Sequence, residues 1–181
     1  MRPTLSLAIL SPAFLLLTLF LVPVPSHAAE DDPSDGWNAG VKWVPDWDSA
    51  VTQAREEGKP LMLLIHRKWC GACKSLKPKF AASAEIAAKS GELVMVQSAD
   101  ESEYTQDTFS PDGGYVPRIL FFRVPAEGEP VFLEEITQRE DQYKYFHYDA
   151  PSIVKSMGEA VDAVKNAEET KETTEDGKSE L

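Results

Sequence analysis

Lys68-Trp69-Cys70-Gly71-Ala72-Cys73-Lys74 contains both cysteines of a 181-residue chain, two residues apart. Immediately upstream, Pro60-Leu61-Met62-Leu63-Leu64-Ile65-His66 is short, continuously apolar and preceded by Gly58-Lys59, the pattern of a buried strand. Immediately downstream, Leu76, Phe80, Ala84 and Ala87 or Ala88 recur at helical spacing, which predicts one helix from Cys73 to Ala88. Cys70 is therefore expected at a strand-to-helix junction, beside the unpaired N–H groups and positive dipole end of the helix. That field favours the thiolate, the reactive form of cysteine. Cys73 falls one turn further on, where it can attack a mixed disulfide formed at Cys70. The pattern points to a dithiol redox site.

Three other uses of the pair are weaker. A zinc site wants four ligands, and only His66 and His147 remain outside the leader, too far apart in sequence to form a ligand pair. No metal is expected. A structural staple across two residues removes little unfolded-state entropy. Paired core cysteines fit poorly with the flanking Lys68, Gly71 and Lys74.

Trp69-Cys70-Gly71-Ala72-Cys73-Lys74, followed by Pro78 inside the helical pattern, resembles the active-site segment of the thioredoxin superfamily. Tyr115-Val116-Pro117-Arg118-Ile119-Leu120-Phe121 is similar to the segment bearing that family's cis-proline. With Phe109–Arg118 and Tyr143–Phe146 added, the chain most resembles the small endoplasmic-reticulum thioredoxins, the thioredoxin domain-containing protein 12 and anterior gradient family. The resemblance implies an α/β thioredoxin fold, a single domain with a central mixed sheet flanked by helices. It implies Cys70 as the exposed nucleophile and Cys73 as the sheltered, resolving thiol, the two forming the redox-active disulfide. Trp69 is then an apolar docking surface or, alternatively, a packing residue, the Val116 backbone pairs with an extended substrate segment, and Pro117 lies in a cis peptide against the sulfurs. Thioredoxins carry a buried acid six residues before the first cysteine, and here Leu64 occupies that place. Proton transfer at Cys73 must then use water or another group, which predicts slow turnover. Gly71-Ala72 matches neither the reducing thioredoxins nor the isomerases, families spanning roughly −270 to −180 mV. An intermediate potential lets glutathione recycle the dithiol as a co-substrate, with no bound cofactor. The family also offers a non-catalytic alternative, because anterior gradient relatives replace the second cysteine with serine and work by binding clients.

The ends of the chain describe an itinerary. Arg2, the apolar run Leu5–Val22 and small residues at Ser26 and Ala28 read as a signal peptide over residues 1–28. The run of 18 residues is also long enough for an uncleaved anchor, but Pro12 and the cleavage signature favour removal, leaving no membrane attachment. Lys178-Ser179-Glu180-Leu181 resembles the Lys-Asp-Glu-Leu retrieval address. Together they predict the endoplasmic-reticulum lumen, a retrieval receptor bound through Lys178–Leu181, and clients whose disulfides or thiols are exchanged. The net charge of −12 excludes nucleic-acid and anionic-membrane partners, which need basic surface.

Between the ends, 29–40 reads as a flexible acidic lead-in, 41–166 as the thioredoxin-like domain and 167–181 as a disordered acidic tail. Within the domain, Val41–Val44 reads as a strand and Trp47–Glu57 as a helix capped by Pro45-Asp46 and stopped by Gly58. Further strands are expected at Leu93–Val96, Arg118–Val124 and Val131–Ile136. Glu103–Phe109 is a weak helical candidate, and Asp149–Asn166 an amphipathic helix with Pro151 in its first turn. His66 reads as a strand-end residue without a chemical role.

Overall fold

A computed structural model describes residues 34–100, 103–140 and 142–176. The leader 1–28 and the Lys178–Leu181 terminus lie outside those residues. Among the described residues no helix is long and apolar enough to cross a membrane.

Five strands form one mixed sheet: β1 (Trp43–Val44), β2 (Leu61–Ile65), β3 (Val94–Ser98), β4 (Arg118–Arg123) and β5 (Val131–Phe132). Their spatial order is β1-β3-β2-β4-β5. β1 and β2 both run parallel to β3, whereas β4 runs antiparallel to β2 and to β5. β2 is central, with Leu63 opposite Val96 on one side and Leu120 on the other. Its unbroken apolar sequence follows from that position, because alternate side chains enter two different cores. Met62 and Leu64 face a core built with Phe80, Ile86, Ile153 and Met157, while Leu61, Leu63 and Ile65 face one built with Ala50, Ala54 and Tyr145. Helices α2 (Gly71–Ala81), α3 (Ala84–Lys89) and α4 (Ala150–Asp176) supply the first core, and α1 (Trp47–Glu57) the second.

The caps of α1 are the ones its sequence announces. Asp46 accepts the Ser49 N–H at 2.8 Å, and Gly58 takes φ +62°, donating its N–H to the Ala54 carbonyl. That left-handed turn aims the chain into β2.

Five expectations need correction. The helix predicted from Cys73 to Ala88 is two helices, α2 and α3, broken at Ala82-Ser83. The break is held from outside: the Asn38 side chain donates to the Phe80 and Ser83 carbonyls at 3.1 and 3.2 Å, and Ser83 caps α3 through the Ile86 N–H. Ile86, not Ala84 or Ala88, is the buried residue of α3. The lead-in assigned to 29–40 is packed from Ser34 onward, because Trp37 is fully buried, stacking edge-on against Phe80 with ring centroids 5.5 Å apart. The tail assigned to 167–181 is helical as far as Asp176, since its Ala, Glu and Lys residues are good helix formers that simply extend α4. β5 stops at Phe132 where Val131–Ile136 was expected, with Glu134-Glu135 in a turn. Of Glu103–Phe109, only Asp107–Phe109 forms a 3₁₀ turn.

Candidate thiol site

The site sits where β2 hands the chain to α2. Arg67 accepts the Cys70 N–H through its carbonyl at 3.1 Å, and the Cys70 carbonyl accepts the Lys74 N–H at 3.1 Å, so the first turn of α2 closes directly behind the sulfur. Cys70 is the N-cap of α2, with φ −70° and ψ 120°, and its Sγ accepts the Cys73 N–H at 3.0 Å. A sulfur in the N-cap place normally held by an oxygen receives both an N–H bond and the positive end of the helix. Cys70 and Cys73 are joined as a disulfide with a Cα–Cα distance of 5.3 Å.

The opposite wall comes from the loop before β4. The Val116–Pro117 peptide is cis, and the Val116 carbonyl oxygen lies 3.4 Å from Cys70 Sγ. Arg118, 2% exposed, straps this loop: Nη1 donates to the Gly113 and Tyr115 carbonyls and Nη2 to Ser110 Oγ. Burial pulls its guanidinium pKa down from the ordinary arginine value. Tyr115 completes the brace, its hydroxyl donating to Asp112 and accepting the Tyr145 N–H, each at 2.9 Å. Arg118 thus directs its two Nη groups to loop carbonyls and a serine, and Lys68 and Lys74 are exposed.

The structure brings Cys70, Cys73, Val116 and Pro117 together. Trp69 is beside them but 67% exposed, so its ring contributes apolar surface rather than core packing. The contrast expected between an exposed Cys70 and a sheltered Cys73 is slight in this disulfide form, at 5% and 3% exposure.

Sequence reasoning missed a half-open space beside Cys73. A cavity of about 350 Å³ there is lined by Asp35, Trp37, His66, Arg67, Lys68, Cys73, Lys74 and Lys77. His66, expected to be a plain strand-end residue, is 2% exposed, with Nε2 hydrogen-bonded to Gln97 and 3.8 Å from Asp35 Oδ2. Asp35 in turn pairs with Lys77 at 3.2 Å. Burial holds the imidazole below its ordinary range, against the opposing pull of Gln97 and Asp35. Asp35 lies in the segment read as a lead-in, so only the histidine after an apolar strand was available as a signal.

Known proteins resemble this chain in sequence and in fold. A thioredoxin-like family model matches residues 42–123. Anterior gradient protein 3 of Mus musculus is 32% identical over 164 residues, covering 84% of this chain and 96% of that protein. Anterior gradient protein 2 homolog of Homo sapiens is 29% identical over 134 residues, 73% of each chain. The solution structure of a thioredoxin from Thermus thermophilus superposes with a TM-score of 0.50 at 14% identity, over 66% of this chain and 86% of that one, a likeness of fold. Among the described residues a five-stranded mixed sheet with four helices, together with near full-length similarity to a relative above 30%, leads to one assignment. The chain belongs to the anterior gradient family of thioredoxin-fold proteins.

Proposed function

We propose that this protein is a thiol-disulfide oxidoreductase of the endoplasmic-reticulum lumen, exchanging disulfides with client proteins and recycled by glutathione. The observation that carries the reading is Cys70 Sγ accepting the Cys73 N–H at a helix N-terminus. In the reducing direction the Cys70 thiolate attacks a client disulfide, forming a mixed disulfide and releasing one client thiolate, which takes up a proton. Cys73 then attacks Cys70, forming the Cys70–Cys73 bond and releasing the second client thiolate. Two glutathione thiols return the pair to the dithiol and leave as glutathione disulfide. Run backwards, the same steps donate a disulfide. Trp69 supplies the docking surface for clients, and the Val116 carbonyl and the cis Val116–Pro117 turn hold an extended client segment beside the sulfur. The leader 1–28 and the terminal Lys178-Ser179-Glu180-Leu181 support lumenal residence with retrieval by a receptor.

Insulin reduction driven by glutathione tests the reading. Wild type turns over and Cys70→Ser does not. Equal, negligible turnover in both leaves the second reading, a client-binding module, which the similarity to anterior gradient proteins favours. Trapping with Cys73→Ser then identifies the clients as mixed disulfides.

A further inference from the structure

The cavity beside Cys73 has a composition that the exchange reaction can use. Cys73 is 3% exposed, and the strand beside it offers no acid, since Leu64 is fully buried in an apolar cluster. A thiol that must lose its proton here needs an acceptor within the cavity. At about 350 Å³ the space holds several waters, each needing about 30 Å³, and its polar walls can bind them. Of the polar side chains lining it, Arg67, Lys68, Lys74 and Lys77 are cationic and donate only. Asp35 and His66 are the two acceptors. A carboxylate is ordinarily more than 4 units more acidic than a thiol and an imidazole about 2 units; burial lowers the His66 imidazole further and so keeps it in the neutral form that can accept a proton.

We propose that His66, with Asp35 as its ion partner, takes the proton from Cys73 and returns it through water in this cavity. The proposal rests on the oxidoreductase reading and names the group that stands in for the acid absent at Leu64. Gln97 Oε1 at Nε2 fixes the ring proton there and leaves the Nδ1 lone pair to accept. Trp37 packs against the ring at a centroid distance of 4.9 Å and holds its plane. The groups facing His66 are Asp35 and Gln97, which favour the imidazolium, and Lys77 and Arg67, which oppose it; burial dominates, so the ring is neutral and ready to accept at neutral pH. In the resolving step the Cys73 proton passes by water to Nδ1 and the Cys73 sulfur bonds to Cys70. The Cys70–client bond breaks, and the client sulfur leaves with its electron pair and takes a proton from solvent. In the reductive half the imidazolium gives the proton back to Cys73. Asp35 is a positioning residue, 3.8 Å from Nε2, and it stabilises the transient imidazolium.

The two steps separate in a stopped-flow reaction of the reduced mature chain with dithiobis-nitrobenzoate. Attack by Cys70 releases one thionitrobenzoate, and resolution by Cys73 releases the second. In His66→Gln the second release slows about 10²-fold, the low end of what a positioned base contributes, while the first is unchanged. Its rate also becomes proportional to hydroxide, where wild type levels off above the imidazole ionisation. Asp35→Asn, on a half-exposed side chain, slows the second release several-fold and moves the levelling point to lower pH. Should His66→Gln fail to fold by circular dichroism, the Asp35→Asn profile decides alone. A second release unchanged in rate and profile in the folded variants overturns the proposal and leaves the oxidoreductase reading standing. Absence of both releases in wild type overturns that reading as well.

Discussion

Replacing Trp37 by alanine asks whether the acidic segment before the sheet is part of the domain. The indole is fully buried and touches two elements: α2, through Phe80 at 5.5 Å and the Lys77 ammonium 5.8 Å from its ring centre, and the end of β2, through His66 at 4.9 Å. Truncating a buried tryptophan to alanine costs about 3–5 kcal/mol from lost transfer energy and the cavity left behind. Its Nε1 has no acceptor among the described residues, so removing that donor relieves about 1 kcal/mol or more of desolvation. The net expectation sits at the lower end, about 3 kcal/mol. For a domain of this size that lowers Tm by about 10–15 °C. Thermal unfolding followed by circular dichroism measures it, with Trp69→Ala as the matched control. Trp69 is 67% exposed, and its truncation changes stability by no more than about 0.5 kcal/mol. A Trp37→Ala protein melting within about 2 °C of wild type refutes the packing argument and restores the flexible lead-in.

Other expectations follow from single residues. Gly58→Ala places a β-carbon at φ +62° and lowers stability by about 1 kcal/mol in urea unfolding, with little steric contribution because the nearest neighbouring atom is Glu168 Oε1 at 3.5 Å. His147, fully buried between Tyr145 and Ser156, has its pKa pushed down to about 4 by burial. The unfolded chain therefore binds its proton first, and stability falls by about 3 kcal/mol as pH drops from about 6.5 to about 4. A His147→Gln chain with the same slope of stability against pH removes His147 as the cause.

The legible parts of the sequence were those where one residue type leaves one structural option. Asp46 and Gly58 bound α1 because a cap and a left-handed stop have few alternatives, and β2 declared itself because a strand buried on both faces cannot alternate. The break between α2 and α3 was hidden, since apolar spacing runs straight through Ser83 and the agent of the break, Asn38, lies more than 40 residues upstream. Trp37 was hidden by its company: acidic and glycine-rich neighbours outweighed one tryptophan. The acidic end of α4 misled for the opposite reason, its charge masking strong helix propensity. At the site, Cys70, Cys73, Val116 and Pro117 were identified from sequence and lie together. The Asp35–His66 pair was not, because no spacing rule joins the segment before the sheet to the end of β2.

The whole account turns on the state of one sulfur. In the Cys73→Ser chain Cys70 is the sole thiol, and the position-73 backbone N–H that it accepts is retained. Its ionisation, followed by thiolate absorbance or by the pH dependence of alkylation, is predicted to fall at least one unit below the free-cysteine value of about 8.5. A midpoint at or above that value contradicts the account, because the N-cap placement of Cys70 then confers no reactivity on it.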